Sequence, residues 1–499
     1  MSIKNHIFIL SGIFITFFLL FCSCESEIDL SPPVVFMAPA GELDTKIDIN
    51  GKTILPNGRI ITPTGRQIRV APHPYGLVLS HDGSIILTAN SGTKPFSLSI
   101  IQNFTDNQPA IFHIPETESE REGVLESVFM GLAFSPDNQV FYASGGNSGD
   151  VMTFEVTSRK LLSKIDLNTI WGKKQFRGSY TGDLTLSKEG RFLFVVDQAN
   201  FRVVIIDVQA QKIIQNIAVG RYPFGIALSP DGKKVYVANV GMFEYAPIQN
   251  IDPQNSAEAT IHFPAYGFPS KEAVAGVELE GKKVPGLGDP NVPESFSVWT
   301  IDVSNPENAR VIAKIKTGHL VGEKLENFPA VGGSSPNSIV ASEDFIYVSN
   351  GNNDCITVIY APKDSLIGDI DLKLHPRIDH LRGIIPFGLT LSPGQYRLYV
   401  AEAGINAIGV IDTRTHQVVG HIPAGWFPAK LAVTPDDKFL IVANAKGWGA
   451  GPNAGPDHKE TDPSNVGQLM RGSVSIIQIP NDSELTKFTH QVVQNTVQF

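Results

Sequence analysis

Short apolar runs recur along this chain at a fixed phase. Gly76-Leu-Val-Leu-Ser80, Gly131-Leu-Ala-Phe-Ser135, Asp183-Leu-Thr-Leu-Ser187 and Gly225-Ile-Ala-Leu-Ser229 share one pattern, continued by Ser338-Ile-Val-Ala-Ser342, Gly388-Leu-Thr-Leu-Ser392 and Lys430-Leu-Ala-Val-Thr434. Apolar runs this short, bounded by turn residues, predict strands. Most are followed by a turn such as His81-Asp-Gly83, Pro136-Asp-Asn138, Pro230-Asp-Gly232 or Pro435-Asp-Asp437. Pro presets φ for the first turn position, and Gly or Asn tolerates φ > 0. A second strand then ends 14 residues after the first residue of the run in six copies, at Asn90, Gly145, Asp197, Asn239, Glu402 and Asn444. In the remaining copy it ends 12 residues on, at Asn350.

Two further strands complete each unit, for example Val203–Asp207 with Lys212–Val219, and Ile408–Asp412 with Val418–Ala424. Four short antiparallel strands per unit of about 40–50 residues mark a propeller blade. The expected fold is all-β: a seven-bladed β-propeller of four-stranded antiparallel blades over residues 66–480. Gln67–Ala71 runs into His73-Pro74-Tyr75 just as His421–Ala424 runs into Trp426-Phe427-Pro428. It therefore predicts an N-terminal outer strand that completes the last blade and removes open sheet edges. Tyr236-Val-Ala-Asn239, Tyr347-Val-Ser-Asn350 and Val203-Val-Ile-Ile-Asp207 resemble the YVTN β-propeller repeat family. Such a resemblance speaks to fold and not to function, because propellers host unrelated activities.

Strands labelled a to d in each unit fix the faces by parity. The end where strand a begins is here the top, so the b–c and d–a loops share it and the tight a–b turns lie at the bottom. Two b–c loops swell, over 240–295 and 445–472. Long loops in compact domains carry function or shield something. The first holds Phe243, Tyr245, Phe263, Tyr266 and Phe268, consistent either with an ordered functional cap or with a packed insertion over the tunnel mouth. The d–a loops supply the rim. Pro recurs there and is read as architectural; the candidate tunnel-mouth residues are His73, Arg177, Tyr180, Arg221, Tyr222, Asn337, Glu402 and Trp426. Arg221 suits a carboxylate or phosphate, or a carboxylate of a neighbouring loop. The Asn and Asp residues closing strand b are expected to bond loop backbone.

The N-terminus changes the picture of where the chain works. Lys4 and His6 precede an apolar run Ile7–Phe21, shorter than the roughly 20 residues that span a bilayer. It predicts a signal peptide over 1–23. Phe21-Cys22-Ser23-Cys24 resembles a bacterial lipobox, which implies a lipid on Cys24 and a cell-envelope location, at the outer membrane or surface; plain secretion or an uncleaved anchor are the alternatives. The acidic residues Glu25, Glu27 and Asp29 resemble the surface-export signal of Bacteroidetes lipoproteins, or form an ordinary solvated linker. Residues 24–65 are expected to form a tether and N-terminal extension, and 481–499 a C-terminal tail.

Composition adds exclusions. Net charge is −10, opposite to the basic face of a nucleic-acid binder. Only Cys355 would remain in the mature domain, so no internal disulfide is expected. Haem, zinc-helix, EF-hand and P-loop patterns are missing, and no cofactor or metal site is expected. Asp457, His458 and Asp462 cluster without a second ligand set. Asn444–Asn453 with Leu469–Ser475 resembles the last blade of bacterial proteins in which a YVTN propeller precedes an alkaline-phosphatase-family phosphoesterase. No catalytic set of such a domain is found, so none is carried over. The sequence points to a binding or scaffold propeller that holds a protein partner or small ligand on its top face. Some seven-bladed propellers of related sequence are lactonases, and the alternative is a hydrolase, lactonase-like or the non-catalytic part of a split phosphoesterase. His73, Arg221 and Glu402 are the nearest acid–base candidates.

Overall fold

A computed structural model describes residues 36–92, 96–116, 125–246, 267–325, 328–330, 332–451 and 466–499. Within 38–498 the chain forms one compact unit. The Cys24 region, Phe263 and Tyr266, and the Asp457/His458/Asp462 cluster lie outside the described residues.

Seven four-stranded antiparallel sheets form the ring. Their innermost strands are Pro74–Leu79, Leu132–Phe134, Thr181–Leu186, Pro223–Leu228, Pro336–Ala341, Pro386–Leu391 and Trp426–Val433. The last blade takes strands Trp426–Val433, Phe439–Gly447 and Ser473–Gln478 from the C-terminal part, and Arg66–Arg69 from the N-terminal part. Arg66 faces Ile476 and Arg69 faces Ser473 in this closing pair. Both parts of the chain thus hold the same sheet, and the ring has no open gap.

The core consists of seven apolar layers, one between each pair of neighbouring blades. Phe141, Ala143 and Phe154 of blade two meet Leu87 and Ile100 of blade one, while Tyr142 and Val151 face blade three. The ring closes with Ile441 and Val474 of blade seven against Leu77 and Ile86 of blade one. Strands b and c are therefore buried on both faces. That is why they read as continuous apolar runs and not as an alternation.

The repeated Ser at the end of strand a has a local cause. Ser80 Oγ donates to Asp82 at 2.6 Å and accepts from the backbone N–H of Ile85 at 2.9 Å. The same clasp closes the turns at Ser135–Asp137, Ser229–Asp231 and Thr434–Asp436. These hydroxyls hold the aspartates below the usual carboxylate range, Asp436 at about 2.

The residues that close strand b form polar spokes inside the blades. Asn90 Nδ2 donates to Ser97 and Ser99 of strand c, and Ser99 meets His113 of strand d. Asn444 bonds Ser473 and Ser475, and Ser475 passes to Gln67 of the closing strand. Asn350 bonds Thr357. The expected bonds to loop backbone are made by Asp197 and Asn444, which accept from the Tyr180 and Gly425 N–H groups, and strand side chains take the remaining bonds named here. The C-terminal tail forms a helix, Asp482–Thr496, opened by an Asn481/Glu484 capping box. It packs Leu485 and Val492 on the outer part of blade six.

Candidate functional site: an aromatic mouth on the top face

The ends of the d–a loops and the first residues of strand a deliver six aromatic rings to the tunnel mouth: Tyr75, Phe129, Tyr180, Phe224, Phe387 and Phe427. They come from blades one, two, three, four, six and seven. Ring centroids are 5.2 Å apart for Phe129–Tyr180, 6.0 Å for Phe129–Phe224, 6.1 Å for Phe224–Phe387 and 6.2 Å for Tyr75–Phe427. Phe224 and Phe387 belong to blades four and six, so the rings meet across the opening and not only around it. Most pairs are edge-on, the favoured aromatic geometry. Each ring is half-buried, so the cluster presents an apolar surface to the outside.

Just below the rings, strand a of neighbouring blades comes very close. A Cβ at Gly388 would lie 2.2 Å from the Ala429 carbonyl, and one at Gly76 2.4 Å from the Met130 carbonyl. Glycine is therefore required at most of these positions. Two of the seven carry charges instead, Asp183 of blade three and Lys430 of blade seven. Their side chains pair at 3.0 Å. The blades are not neighbours, so this ion pair crosses the tunnel and floors the mouth.

The rim carries Lys446 and His73. Lys446 Nζ lies 5.0 Å from the Trp426 ring and 5.1 Å from the Phe427 ring. His73 stacks on Tyr75 with an interplanar angle of 9°. Its Nε2 lies 2.9 Å from the Gly467 carbonyl, so Nε2 carries the proton. Burial lowers its pKa, the carbonyl bond opposes this, and the Lys446 charge adds to the lowering. A neutral imidazole beside an ammonium results.

The structure scatters the other candidates expected at the mouth. Tyr180 belongs to the ring cluster. Trp426 forms the rim with Lys446 and also packs against Leu55, Ile61 and Trp448, which fasten the N-terminal hairpin Thr53–Ile54/Ile60–Ile61. Arg221 donates to the Met242 carbonyl at 2.7 Å, a backbone acceptor in place of the expected carboxylate. Tyr222 packs on Phe201 at 4.7 Å. Arg177 is exposed and bonds Gln175. Asn337 is buried, donating to the Pro386 carbonyl and accepting from Ser349, and so ties blade five to blade six.

Glu402 lies inside blade six and not on the rim. It is fully buried, and its Oε2 lies 2.7 Å from His421 Nδ1. Gly409 occupies the position that carries Ser or Thr in the spokes of blades one, five and seven. A Cβ there would sit 2.6 Å from Glu402 Oε1. The missing side chain leaves the longer Glu room to reach strand d. Burial alone would lower the His421 pKa; the Glu402 charge and hydrogen bond, with the Lys373 carbonyl, overcome this and raise it. His73, Arg221 and Glu402 thus have separate partners and do not assemble as an acid–base set.

Phe129, Phe224, Phe387, Phe427 and Lys446 had not stood out in the sequence. The available signal was the Pro-aromatic pair in the d–a loops, with Asp183 and Lys430 as the only charged anchors. Among the described residues, no group of three or more His, Cys, Asp or Glu could hold a metal ion.

Comparison with known proteins extends this description. A family model described as "Lactonase, 7-bladed beta-propeller" matches residues 131–242. The match runs from strand a of blade two to the top of blade four and includes Tyr180, Asp183 and Phe224. Hydrazine synthase of Kuenenia stuttgartiensis is similar in fold, with a TM-score of 0.51 and 14% identity over 76% of this chain and 94% of that chain. A functionally unknown protein from Desulfotomaculum acetoxidans aligns with a TM-score of 0.44 and 15% identity, over 71% of this chain and 86% of that one. No curated protein matches the chain.

Proposed function

We propose that this chain is an exported binding propeller whose top mouth takes a small ligand with a flat apolar body and an anionic group. The observation that supports this reading is the cluster of half-buried rings with the Lys446 ammonium at its margin, 5.1 Å from Phe427. Apolar concave surfaces with a few placed polar groups are the usual form of small-molecule sites. Flat ligands gain from edge and face contacts with rings, and an anion gains from Lys446 at their margin. The Asp183–Lys430 pair crosses the tunnel below the rings. Titration calorimetry with 1-anilinonaphthalene-8-sulfonate as probe tests it. Micromolar binding that weakens about tenfold in Lys446→Ala is expected, as for loss of one charge-assisted contact. Equal binding by the variant, or none by either protein, would overturn the assignment.

The export part of the proposal rests on the apolar run Ile7–Phe21 and Cys24. Growth with an alkyne fatty acid should label the chain, and Cys24→Ser should abolish the label. Unchanged labelling would contradict lipidation at that residue. A protein partner, including a separately encoded phosphoesterase, would use the same top face.

A second reading is supported by the lactonase family match over residues 131–242. On that reading the mouth hydrolyses a lactone. A His73→Ala variant that loses measurable lactone hydrolysis would favour it; no turnover by the parent protein over a panel of sugar lactones would remove it.

A further inference from the structure

A small hairpin stands on the top face between strand d of blade two and strand a of blade three. Ile170 pairs with Gln175 and Trp171 with Lys174, and Gly172 takes φ +60° in the turn between them. A lone two-stranded hairpin is marginal in water. This one is fixed at its base. Phe176 is buried beneath the Arg202 guanidinium, 3.6 Å from the ring centroid. Arg202 is itself 1% exposed and bonded to Asp197 at 2.8 Å.

The tip combines order with exposure. Ile170 is 70% exposed and Trp171 38% exposed. Lys173, Lys174 and Arg177 surround them in solvent. In blade four, on the same face, Tyr245 is 67% exposed.

The two faces of the ring differ in kind. Exposed large apolar residues on top loops include Ile170, Trp171, Tyr245, Leu320 and Ile385, against Tyr396 in a bottom turn. The bottom turns instead carry Asp82, Asp137, Asp231 and Asp436, each held anionic by its hydroxyl clasp. Lysines share those turns, Lys438 pairing with Asp436 at 2.9 Å, so the faces differ in that the top one carries an apolar, cation-flanked projection.

We propose that the Ile170–Gln175 hairpin is a membrane-docking finger that inserts Ile170 and Trp171 into the headgroup region of an anionic lipid surface. Trp settles at that boundary because its ring is apolar and its N–H is polar. The Lys and Arg stems cover apolar surface while their charges meet lipid phosphates. This inference is independent of the ligand assigned to the mouth.

The test uses the full chain carrying Cys24→Ser, so that no lipid anchor contributes. It is mixed with phosphatidylglycerol–phosphatidylethanolamine vesicles whose acyl chains are brominated. Tryptophan quenching then reports contact with the bilayer. Trp299 and Trp448 are buried and Trp426 is half-buried at the mouth, so the Trp171 component is isolated by difference with Trp171→Ser, and any Trp426 signal stays in both proteins. The expected result is quenching that disappears in Trp171→Ser. Vesicle affinity should fall about tenfold or more when Lys173 and Lys174 are replaced by Gln. Quenching equal in parent and Trp171→Ser, or vesicle-bound protein whose Trp171 stays unquenched, would overturn the proposal.

Discussion

The bottom and top of this ring are built from loops of opposite parity in the strand order, and they follow opposite rules. At the bottom, four a–b turns repeat one Ser or Thr clasp on an Asp two residues on. At the top, the loops into strand a and its first residues hold Tyr75, Phe129, Tyr180, Phe224, Asn337, Phe387 and Phe427, with no shared chemistry beyond a tendency to aromatic rings. Repetition at the bottom follows from a local need, since each turn must satisfy its own backbone groups. The top residues have little to do for their own blade. Their contacts cross the tunnel, so their identity is set by the assembled mouth.

If this contrast is right, changes just below the mouth should cost the most stability. Gly388→Val places a side chain 2.2 Å from the Ala429 carbonyl and should destabilise by about 3 kcal/mol in denaturant titration. The tunnel-crossing pair comes next. Asp183→Asn leaves the partly buried Lys430 without its partner and should cost about 2 kcal/mol. The double change Asp183→Asn/Lys430→Met should recover part of that loss, because it also removes the stranded charge. A bottom clasp is smaller: Ser229→Ala should cost about 1 kcal/mol and leave binding at the mouth unchanged.

The smallest effect is a pH dependence within blade six. His421 has a folded pKa raised above its ordinary value. Its contribution is therefore fully present below the unfolded value of about 6.5 and is lost as pH rises through the folded pKa. The melting temperature should fall over that range, and less so in His421→Gln. An identical pH profile in the variant would remove the pair from the account.

The fold was legible because its signals are local and repeated. The interval from Gly76 to Asn90 recurs at Gly388 to Glu402 because both spans cross the same hairpin. The orphan strand at Arg66–Arg69 was visible for the same reason, since its sequence leads into a d–a loop. The site was legible only in part. Glu402 shares the position of Asn90 and Asn444, so its place in a spoke could be expected. Its partner His421 lies across two strands and depends on Gly409 having no side chain. Asp183 and Lys430 are 247 residues apart and meet only once the ring closes. Arg221 looked like an anion binder from its type, but the neighbouring loop offered a carbonyl at the right distance first.

The most direct test of the mouth compares one top variant with one bottom variant in the same titration. Phe387→Ala/Phe427→Ala removes two rings of the cluster, while Ser229→Ala loosens a turn on the opposite face. With 1-anilinonaphthalene-8-sulfonate as probe, the ring variant should lose saturable binding and the Ser229→Ala protein should bind as the parent does. Saturable binding retained in the ring variant, at parent affinity, would contradict the assignment of the mouth as the binding site.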